Sequence, residues 1–417
     1  MRAVVYHGVN DLRLETVPVP SIRPGELLVK VAVCGVCPTD IKKIQHGTVP
    51  PPRIFGHETA GTIVQIGRQK AEGRRQKSHS ALRISHSEFK LGDRVALHHH
   101  VPCLDCHFCR HHAFAQCAAY KHTGITAGFE PAGGGYAEYV RVMPFVLPGV
   151  VKIPAKNSFA EGALLEPVNT VLKAVRRLDL LPGDVVLVAG QGPIGLMFTR
   201  LLQLAGARVI ATDLMPARLR LAKKFGAQWT VNASSSRSIG TVGAEVTRLG
   251  PSARPRDPAS TLNPQPSTLI HCVIHRATRG HGLDAAVIAV PSDAVVRQSL
   301  AWLRGGGQLM LFAHTKRNSL AHPMGEGGRR PGEDSQKSTS TLNFPLDLAS
   351  ICVDEKDLLG SYSSDFTLQR EVARLVFSRQ LDVRQLISHS FPLEQTAAAV
   401  ALAAHPTPDS LKILVTS

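Results

Sequence analysis

The segment 185-VVLVAGQGPIG-195 decides the fold of this 417-residue chain. Its first five residues are all apolar, which is typical of a parallel strand buried on both faces. A Gly-x-Gly-x-x-Gly pattern follows at once and opens a helical stretch, with the loop residues Gly190, Gly192, Pro193, Ile194 and Gly195. Because glycines let the backbone approach a pyrophosphate and a helix N-terminus stabilises its charge, the segment predicts a dinucleotide-binding Rossmann unit.

The chain downstream of this loop carries the second part of the pattern. A strand is predicted over 209–212, Asp213 follows it, and a helix is predicted over 217–225. An acidic residue at this point binds the ribose hydroxyls of NAD and repels the 2′-phosphate of NADP, whereas the nearby Arg218 could accept that phosphate. We therefore predict a cofactor site for NAD.

The rest of the second half alternates strands and helices. Buried strands are predicted over 283–290 and 308–312, and a helix over 161–178. In the first 100 residues, apolar and polar positions instead alternate with a period of two, which predicts short β-strands. The fold class is therefore α/β, with a β-rich domain followed by a doubly wound parallel sheet.

Three stretches interrupt the pattern of predicted strands and helices, near 68–88, 251–278 and 318–343. They are rich in Ser, Pro, Arg, Gly and Gln and bury too little apolar area to offset the entropy of ordering, so we predict surface loops. Residues 68–90 and 251–279 carry net charges of +5 and +3, half of the formal +16. We therefore interpret the basic charge as a solvated surface and predict no nucleic-acid partner.

Neither an export signal nor a membrane span is predicted. Residues 1–20 contain no basic segment leading into an apolar helix, and no run of 18 apolar residues occurs. The eight cysteines are then more consistent with metal binding than with disulfides. We predict a cytoplasmic protein.

Four cysteines fall within fifteen residues, in the pattern Cys103-x2-Cys106-x2-Cys109-x7-Cys117. Four thiolates can complete a tetrahedral zinc shell and leave no position for a substrate, which predicts a structural site. Six histidines surround this lobe: His98, His99, His100, His107, His111 and His112. Since the thiolates suffice, we predict that the histidines are surface residues.

A second set of metal-ligand residues is dispersed along the chain. Cys37, His57 and Glu166 would supply a thiolate, an imidazole and a carboxylate, the three ligands that leave a zinc open for catalysis. Spacing alone does not establish this set. A redox pair of Cys34 and Cys37 is the alternative, although the pair follows a β-strand rather than opening a helix.

Taken together, these motifs resemble those of the zinc-containing medium-chain dehydrogenases, especially the sorbitol and threonine dehydrogenase branch. The resemblance rests on Cys-Gly-Val-Cys-Pro-Thr-Asp at 34–40, Gly-His-Glu at 56–58, the four-cysteine lobe, Glu-Pro at 166–167 and the glycine loop. It implies a GroES-like catalytic domain over 1–160, a Rossmann domain over 161–364 and a C-terminal return to the catalytic domain over 365–417.

The resemblance also implies roles for residues. Cys37, His57 and Glu166 would hold a catalytic zinc, with Glu58 either ligating it or lying close by. Asp40 would orient His57, and Thr39 would take the substrate's proton. Relatives often carry a histidine where this chain has Lys42, so Lys42 or water would relay the proton outward.

The implied activity is hydride transfer from the CH–OH group of a small alcohol, polyol or amino alcohol to NAD, with two zinc ions per chain in a homodimer or homotetramer. Two other classes of protein remain possible. A zinc-bearing nucleic-acid protein would leave Glu166 and the Gly190 loop unexplained. A catalytically inactive NAD-binding relative with a structural or sensing role would hold one zinc per chain rather than two.

Overall fold

The computed structural model describes residues 1–67, 88–98, 101–123, 133–234, 266–313 and 347–417. The strands are β1 (Arg2–Gly8), β2 (Asp11–Thr16), β3 (Leu27–Gly35), β4 (Arg53–Ile54), β5 (Glu58–Ile66), β6 (Arg94–Leu97), β7 (Tyr139–Val142), β8 (Val151–Lys152), β9 (Val185–Ala189), β10 (Arg208–Asp213), β11 (Trp229–Asn232), β12 (Leu283–Ile288), β13 (Leu303–Leu311), β14 (Asp357–Gly360), β15 (Ile387–Pro392) and β16 (Lys412–Thr416). The helices are α1 (Pro38–His46), α2 (His107–Arg110), α3 (Ala118–Thr123), α4 (Phe159–Ala163), α5 (Leu165–Val175), α6 (Pro193–Leu204), α7 (Pro216–Lys224), α8 (Pro266–Ala277), α9 (Asp293–Trp302), α10 (Leu348–Val353), α11 (Gln369–Phe377) and α12 (Thr396–Ala404).

The chain divides into two compact units. The described residues of the first unit fall within the ranges 1–177 and 361–417. Its main sheet has the order β15-β16-β3-β5-β6-β8, with β7 also paired to β3, and a second sheet has the order β2-β1-β4. The pairs around β3 are antiparallel, and β16 joins β3 through Leu414↔Gly35 and Val415↔Cys34. A strand from the far end of the chain thus lies beside the strand that leads to Cys37.

The second unit contains a parallel six-stranded sheet, with the order β11-β10-β9-β12-β13-β14. Counted within the unit, this is the doubly wound order 3-2-1-4-5-6. All five residues of β9 are buried, as the apolar run predicts for a central parallel strand. The predicted α/β fold class is confirmed, and β9 leads directly into the glycine loop.

The first unit ends at Arg177, and the second unit begins at Leu178. Helices α4 and α5 precede this boundary, and α4 packs on β3, β5 and β6 of the first unit. The residues before the boundary therefore belong to the core of the first unit. The chain returns to the first unit at Ser361.

The prediction of a single helix over 161–178 is wrong, because the structure has two shorter helices, α4 and α5. The Ser158 hydroxyl accepts a hydrogen bond from the Glu161 N–H, and the Glu161 carboxylate accepts one from the Ser158 N–H. With this capping box, α4 begins at Phe159, two residues earlier than predicted. The break follows from Pro167, which has no N–H for the Ala163 carbonyl and fits only in the first turn of a new helix.

The surface loop predicted over 251–278 is also wrong in its second half, where α8 spans Pro266–Ala277. Ile270, Ile274 and Ala277 are buried, and their spacing of four and three residues forms one apolar helix face. The Ser- and Pro-rich composition just before this face obscured it in the sequence. Residues 251–265, the stretch near 318–343 and all but Glu88 of the stretch near 68–88 lie outside the described residues.

Within the described ranges, the longest helices have 12 residues, and none has the length and hydropathy needed to cross a membrane.

Candidate active site and metal centres

The four cysteines of the lobe converge on one point. The Sγ–Sγ distances are 3.5 Å for Cys106 and Cys109, 3.6 Å for Cys103 and Cys117, and 3.9 Å for Cys103 and Cys109. Four sulfur atoms at the usual zinc–sulfur bond length in a tetrahedron are about 3.8 Å apart. The spacing of the thiols therefore fits a zinc ion, and none of them is in a disulfide.

The lobe has little apolar core of its own. Its buried cluster contains the apolar and aromatic residues Val101, Phe114, Ala115, Tyr120 and Phe366 together with two of the cysteines. Backbone hydrogen bonding, first from Asp105, lowers the pKa of the Cys103 thiol to about 7, whereas burial raises the pKa of Cys109 to about 12. Since a small core stabilises little, metal binding would supply much of the order in this region.

The histidines around the lobe do not all lie on the surface, so the prediction is wrong for His98. Its side chain is fully buried, and its Nε2 lies 3.3 Å from the Ser364 hydroxyl. His107, His111 and His112 are exposed, while His99 and His100 lie outside the described residues. His98 follows β6 directly, and this position at the end of a buried strand was the sequence signal for its burial.

A second cluster forms around Cys37, His57 and Asp40. Cys37 caps the N-terminus of α1, where Pro38 occupies the first helical position. Asp40, in the first turn, is completely buried, and its Oδ2 lies 3.2 Å from Nδ1 of His57 and accepts the Gly56 N–H at 3.2 Å. His57 also forms a hydrogen bond with the Cys37 side chain. The sequence therefore brings a thiol and an imidazole together, with a carboxylate that fixes the ring.

Charges in this cluster outweigh the effect of burial. Burial alone would lower the pKa of His57, but the negative charges of Asp40 and Cys37 raise it well above its usual value. Burial would likewise raise the pKa of Asp40, and the charge of His57 lowers it. Each member of the pair therefore favours the charged form of the other.

The sheet explains why these residues meet. Strand β5 begins at Glu58 and pairs with β3 through Gly35↔Glu58 and Cys34↔Thr59, so Cys37 and His57 lie at the same end of two neighbouring strands. A Cβ atom at Gly35 would lie 1.9 Å from Oε2 of Glu58. Glycine at position 35 therefore leaves the space that the Glu58 carboxylate fills.

Glu58 forms a buried ion pair with Lys412, the first residue of β16. The Lys412 Nζ lies 2.6 Å from Oε1 and 2.5 Å from Oε2 of Glu58, and it also donates a hydrogen bond to the Val36 carbonyl at 2.9 Å. Burial would lower the pKa of Lys412, but the Glu58 charge raises it. Glu58 therefore faces a fixed ammonium group in this structure.

Glu166 lies in the first turn of α5 and is buried. Burial raises the pKa of its carboxyl to about 7; the charge of His57 opposes this rise, and the charge of Glu58 adds to it. Glu166 therefore belongs electrostatically to the same cluster as His57 and Glu58.

The two clusters differ in compactness. Within the described residues, the four cysteines are the only group of three or more His, Cys, Asp or Glu side chains whose ligand atoms all lie within 4.8 Å of one another. Cys37, His57 and Glu166 do not form such a group. These three residues supply the side-chain groups of a zinc site, but their ligand atoms lie farther apart than the four sulfur atoms of the lobe.

Thr39 and Lys42 lie on the same helix as Asp40. Thr39 is half-buried and follows Cys37 by two residues, while the Lys42 side chain extends to the surface. Partial burial of the Lys42 ammonium lowers its pKa, and the charge of Cys37 opposes this shift. Residues three apart on a helix lie on one face, so Lys42 is placed outward of Thr39.

The alternative of a redox pair is disfavoured by the position of Cys34. This residue is completely buried in β3, and burial raises the pKa of its thiol to about 12. A thiol with such a pKa is almost entirely protonated near neutral pH and is a poor nucleophile.

The three glycines of the loop each have a distinct role. Gly190 adopts a φ of 93°, Gly192 has no atom within 4 Å of where a Cβ would lie, and a Cβ at Gly195 would lie 1.8 Å from the Gly190 carbonyl oxygen. Gly192 is the N-cap of α6, with Pro193 and Ile194 in the first turn. The loop thus provides a sharp turn, an open backbone surface at a helix N-terminus and close contact between strand and helix.

Asp213 ends β10 as predicted. Its Oδ2 accepts the Gln191 N–H at 2.6 Å and its Oδ1 accepts the Met215 N–H at 2.8 Å, so the carboxylate is fixed beside the glycine loop. Arg218 lies in the first turn of α7 and is half-buried. The acidic group expected at a ribose is therefore held against the loop by two backbone donors.

Comparison with known proteins identifies the family. An alcohol dehydrogenase GroES-like domain matches residues 23–155, and a zinc-binding dehydrogenase domain matches residues 193–324. A probable D-xylulose reductase A of Aspergillus clavatus is 30% identical over 276 residues, which cover 64% of this chain and 71% of that protein. The chain belongs to the zinc-dependent medium-chain dehydrogenase family. It is an oxidoreductase of the alcohol dehydrogenase type.

Two further relatives match almost end to end. Sorbitol dehydrogenase of Bacillus subtilis is 27% identical over 421 residues, covering 100% of this chain and 97% of that one. A zinc-binding dehydrogenase of Sinorhizobium meliloti, solved with bound NADP, is 25% identical with a TM-score of 0.69 and covers 100% and 99% of the two chains. The sequence-based assignment to the medium-chain dehydrogenases is confirmed.

Both metal sites of this dehydrogenase can be tested against their donor atoms. The four-cysteine lobe fits a zinc ion in donor type and in spacing. The second cluster fits in donor type, because a thiol, an imidazole oriented by a buried carboxylate, and a further buried carboxylate are the ligands of open zinc sites.

Lys412 is a residue of the candidate active site that the sequence did not reveal. It reaches Glu58 from 354 residues further along the chain. The only sequence signal was a single lysine next to the apolar run Ile413-Leu414-Val415, where a charge needs a partner.

Proposed function

We propose that this chain is a zinc-dependent, NAD-linked dehydrogenase that oxidises the CH–OH group of a small alcohol or polyol. The observation that carries the proposal is the buried Asp40 carboxylate 3.2 Å from Nδ1 of His57, which in turn contacts Cys37. Histidines that ligate catalytic zinc are held in this way, because the second ring nitrogen needs a partner that fixes the ring.

In this proposal, Cys37, Nε2 of His57 and Glu166 hold the catalytic zinc, and the fourth position stays open for the substrate. Cys103, Cys106, Cys109 and Cys117 hold the structural zinc. When bound, the catalytic zinc supplies a Lewis acid that lowers the pKa of a hydroxyl group.

The chain's own residues move the proton. The Thr39 hydroxyl, two residues after Cys37, takes the proton of the substrate hydroxyl. Lys42, one helical turn further along α1 and exposed, passes it to solvent. The lowered pKa of Lys42 supports this role, since an ammonium group that releases its proton more easily is a better relay.

The cofactor site comprises the loop Gly190 to Gly195, with its backbone N–H groups on the pyrophosphate, and the Asp213 carboxylate on the adenosine ribose. Arg218, in the first turn of α7, is the cofactor-site residue that could instead accept the 2′-phosphate of NADP. NAD supplies the hydride acceptor. Asp213 favours NAD over NADP, although the relative from Sinorhizobium meliloti was solved with NADP.

Polyols are the substrate class that we favour. Two of the relatives compared above are a sorbitol dehydrogenase and a probable D-xylulose reductase. The aromatic content of 5% offers few stacking surfaces for a large ring, which favours an aliphatic substrate. We further propose that the enzyme works in the cytosol, where the lobe thiols stay reduced, and as a homodimer or homotetramer, which light scattering on the purified protein tests.

The experiment is to follow NAD reduction with a panel of polyols, secondary alcohols and L-threonine, with NADP in parallel. Turnover of polyols with NAD, at least about tenfold faster than with NADP, is the expected result. Turnover of L-threonine alone would overturn the substrate class. No turnover with any alcohol in protein that holds two zinc ions per chain would overturn the activity and favour the inactive NAD-binding alternative.

A further inference from the structure

The turn between β9 and α6 carries one side chain, that of Gln191, between Gly190 and Gly192. Although it lies in a turn, Gln191 is completely buried. Glutamine is seldom buried to this extent, because each polar atom of its amide needs a hydrogen-bond partner once water is excluded. The partners of this amide therefore indicate what the residue does.

The side-chain amide of Gln191 joins the end of β9 to the middle of α6. Its Nε2 donates a hydrogen bond to the Val188 carbonyl at 3.0 Å, and its Oε1 accepts one from the Thr199 hydroxyl at 2.9 Å. Thr199 lies on α6 and is also completely buried. Because water does not compete for these two bonds, they fix the amide between the strand and the helix.

The backbone of Gln191 contacts the carboxylate that is expected at the ribose. The Gln191 N–H donates to Oδ2 of Asp213 at 2.6 Å. The glycines on either side cannot restrict the turn through packing of side chains, and glycine has the greatest backbone freedom of any residue. The position of the Gln191 N–H, and with it the direction of the Asp213 carboxylate, therefore depends on the bonds to Val188 and Thr199.

We propose that Gln191 is a positioning residue for cofactor selection, whose side-chain bonds to Val188 and Thr199 hold Asp213 in the orientation that binds a ribose hydroxyl and repels a 2′-phosphate. This role rests on the proposed function, in which NAD binds at the glycine loop.

Loss of the two side-chain bonds should affect the two cofactors unequally. A fixed Asp213 carboxylate binds ribose hydroxyls without a further cost of ordering, so a mobile one weakens the binding of NADH. A mobile carboxylate can also turn away from a 2′-phosphate, which reduces the repulsion of NADPH. If Gln191 served only to fill the core, its loss would weaken both cofactors by the same factor.

The first test is Gln191→Met, which keeps the length of the side chain and removes both of its hydrogen bonds. Fluorescence titration of the zinc-loaded protein with NADH and with NADPH gives the two dissociation constants. The preference for NADH is expected to fall at least about fivefold, the size of effect that loss of buried hydrogen bonds produces. Equal weakening of both cofactors would overturn the proposal.

The second test compares two variants at the other end of the bond. Thr199→Val has the shape of threonine without the hydroxyl and should lower the preference for NADH. Thr199→Ser keeps the hydroxyl and should retain the preference. The same preference in both variants would overturn the proposal, and this pair also decides if Gln191→Met does not fold.

The third test asks whether Gln191 acts through Asp213. In the Asp213→Asn background the acidic group is absent, so adding Gln191→Met should change the cofactor preference by less than about twofold. An effect as large as that in the unaltered background would show that Gln191 acts by another route and would overturn the proposal.

Gln203→Met is the matched control. Gln203 lies on the same helix α6 and is half-buried, and its Oε1 accepts a hydrogen bond from Arg200 at 2.7 Å rather than from a residue of the turn. This variant should keep the cofactor preference of the unaltered protein, and a loss equal to that in Gln191→Met would contradict the specific role of Gln191.

Failure of the proposed function gives a different result. If the unaltered protein binds neither NADH nor NADPH, or prefers NADPH, the NAD site itself is wrong. If the unaltered protein prefers NADH and Gln191→Met has the same preference, only the role of Gln191 is overturned.

Discussion

The four-cysteine lobe and the Cys37 cluster solve the same problem, metal binding, in opposite ways. The lobe draws its four ligands from fifteen residues, and its sulfur atoms already stand at zinc spacing. The Cys37 cluster draws on α1, β5, α5 and β16, and its proposed ligands are not as close together. This difference shows that a short segment can supply all four ligands of a structural metal site. The ligands of a site with an open position for substrate come instead from several elements of the first unit.

The largest expected effect tests whether the Cys37 cluster is dedicated to chemistry. Cys37→Ser should lower kcat/KM by about 10³-fold or more, because Lewis-acid stabilisation is worth several kcal/mol and each 1.4 kcal/mol is tenfold in rate. NAD affinity and the melting temperature should change little. Steady-state kinetics, cofactor titration and thermal unfolding check this, and loss of NAD binding as well would mean that Cys37 is structural.

The next effect tests whether the lobe is dedicated to stability. Cys109→Ser should remove the structural zinc and lower the free energy of unfolding by about 3 kcal/mol or more, as loss of a bound metal commonly does. The Cys37 site should still bind its own metal. Denaturant unfolding measures the stability, and zinc analysis measures the metal content. Equal stability with and without the lobe zinc would contradict the structural role of the lobe.

A smaller effect tests how far the open site depends on groups beyond its ligands. Asp40→Asn should lower activity or metal affinity by about 10- to 100-fold, because the amide holds His57 less strongly than the carboxylate does. Asp105→Asn on the exposed side of the lobe is the control and should leave activity unaltered. Kinetics at saturating zinc separate the loss of metal from the loss of ring orientation.

The last effect concerns pH, and per pH unit it is the smallest. In metal-free protein, burial raises the pKa of Glu166 to about 7 from an ordinary 4.5, so the folded state binds this proton more tightly than the unfolded state does. Its favourable contribution is complete below about pH 4.5 and is lost as pH rises towards 7, so the free energy of unfolding should fall by up to about 1.4 kcal/mol per pH unit in that window.

Urea unfolding of chelator-treated protein at several pH values measures this slope. Glu166→Gln should flatten it, because the amide does not titrate. Zinc at the Cys37 site should flatten it too, since a metal-bound carboxylate stays ionised. A slope that persists unchanged in Glu166→Gln would assign it to other groups.

The sequence best predicted those features that depend on residues close together in the chain. The cysteine lobe, the glycine loop and the position of Asp213 at the end of β10 all depend on short spacing, and the structure has each where the pattern placed it. Two local predictions failed for local reasons. Pro167 broke one predicted helix, and the polar composition before Ile270 concealed another.

The sequence predicted least where distant strands meet. The pairing of β16 with β3 brings Lys412 to Glu58, and no periodicity within either strand indicates that pairing. The burial of His98 depends likewise on Ser364, from the returning part of the chain. Candidate zinc ligands could be named by family resemblance, but the residues packed around them became visible only in the tertiary structure.

The ion pair between residues 58 and 412 also sets an order of events during synthesis. At about 5–20 residues per second, a ribosome needs roughly 20–70 s to make the intervening chain. During that time, the Glu58 carboxylate lacks its counter-charge and is costly to bury. The first unit is therefore expected to remain incompletely closed until the second unit, encoded between its two halves, has been made. In this chain the half that is translated first is finished last, and chaperones have that interval in which to act on its exposed sheet.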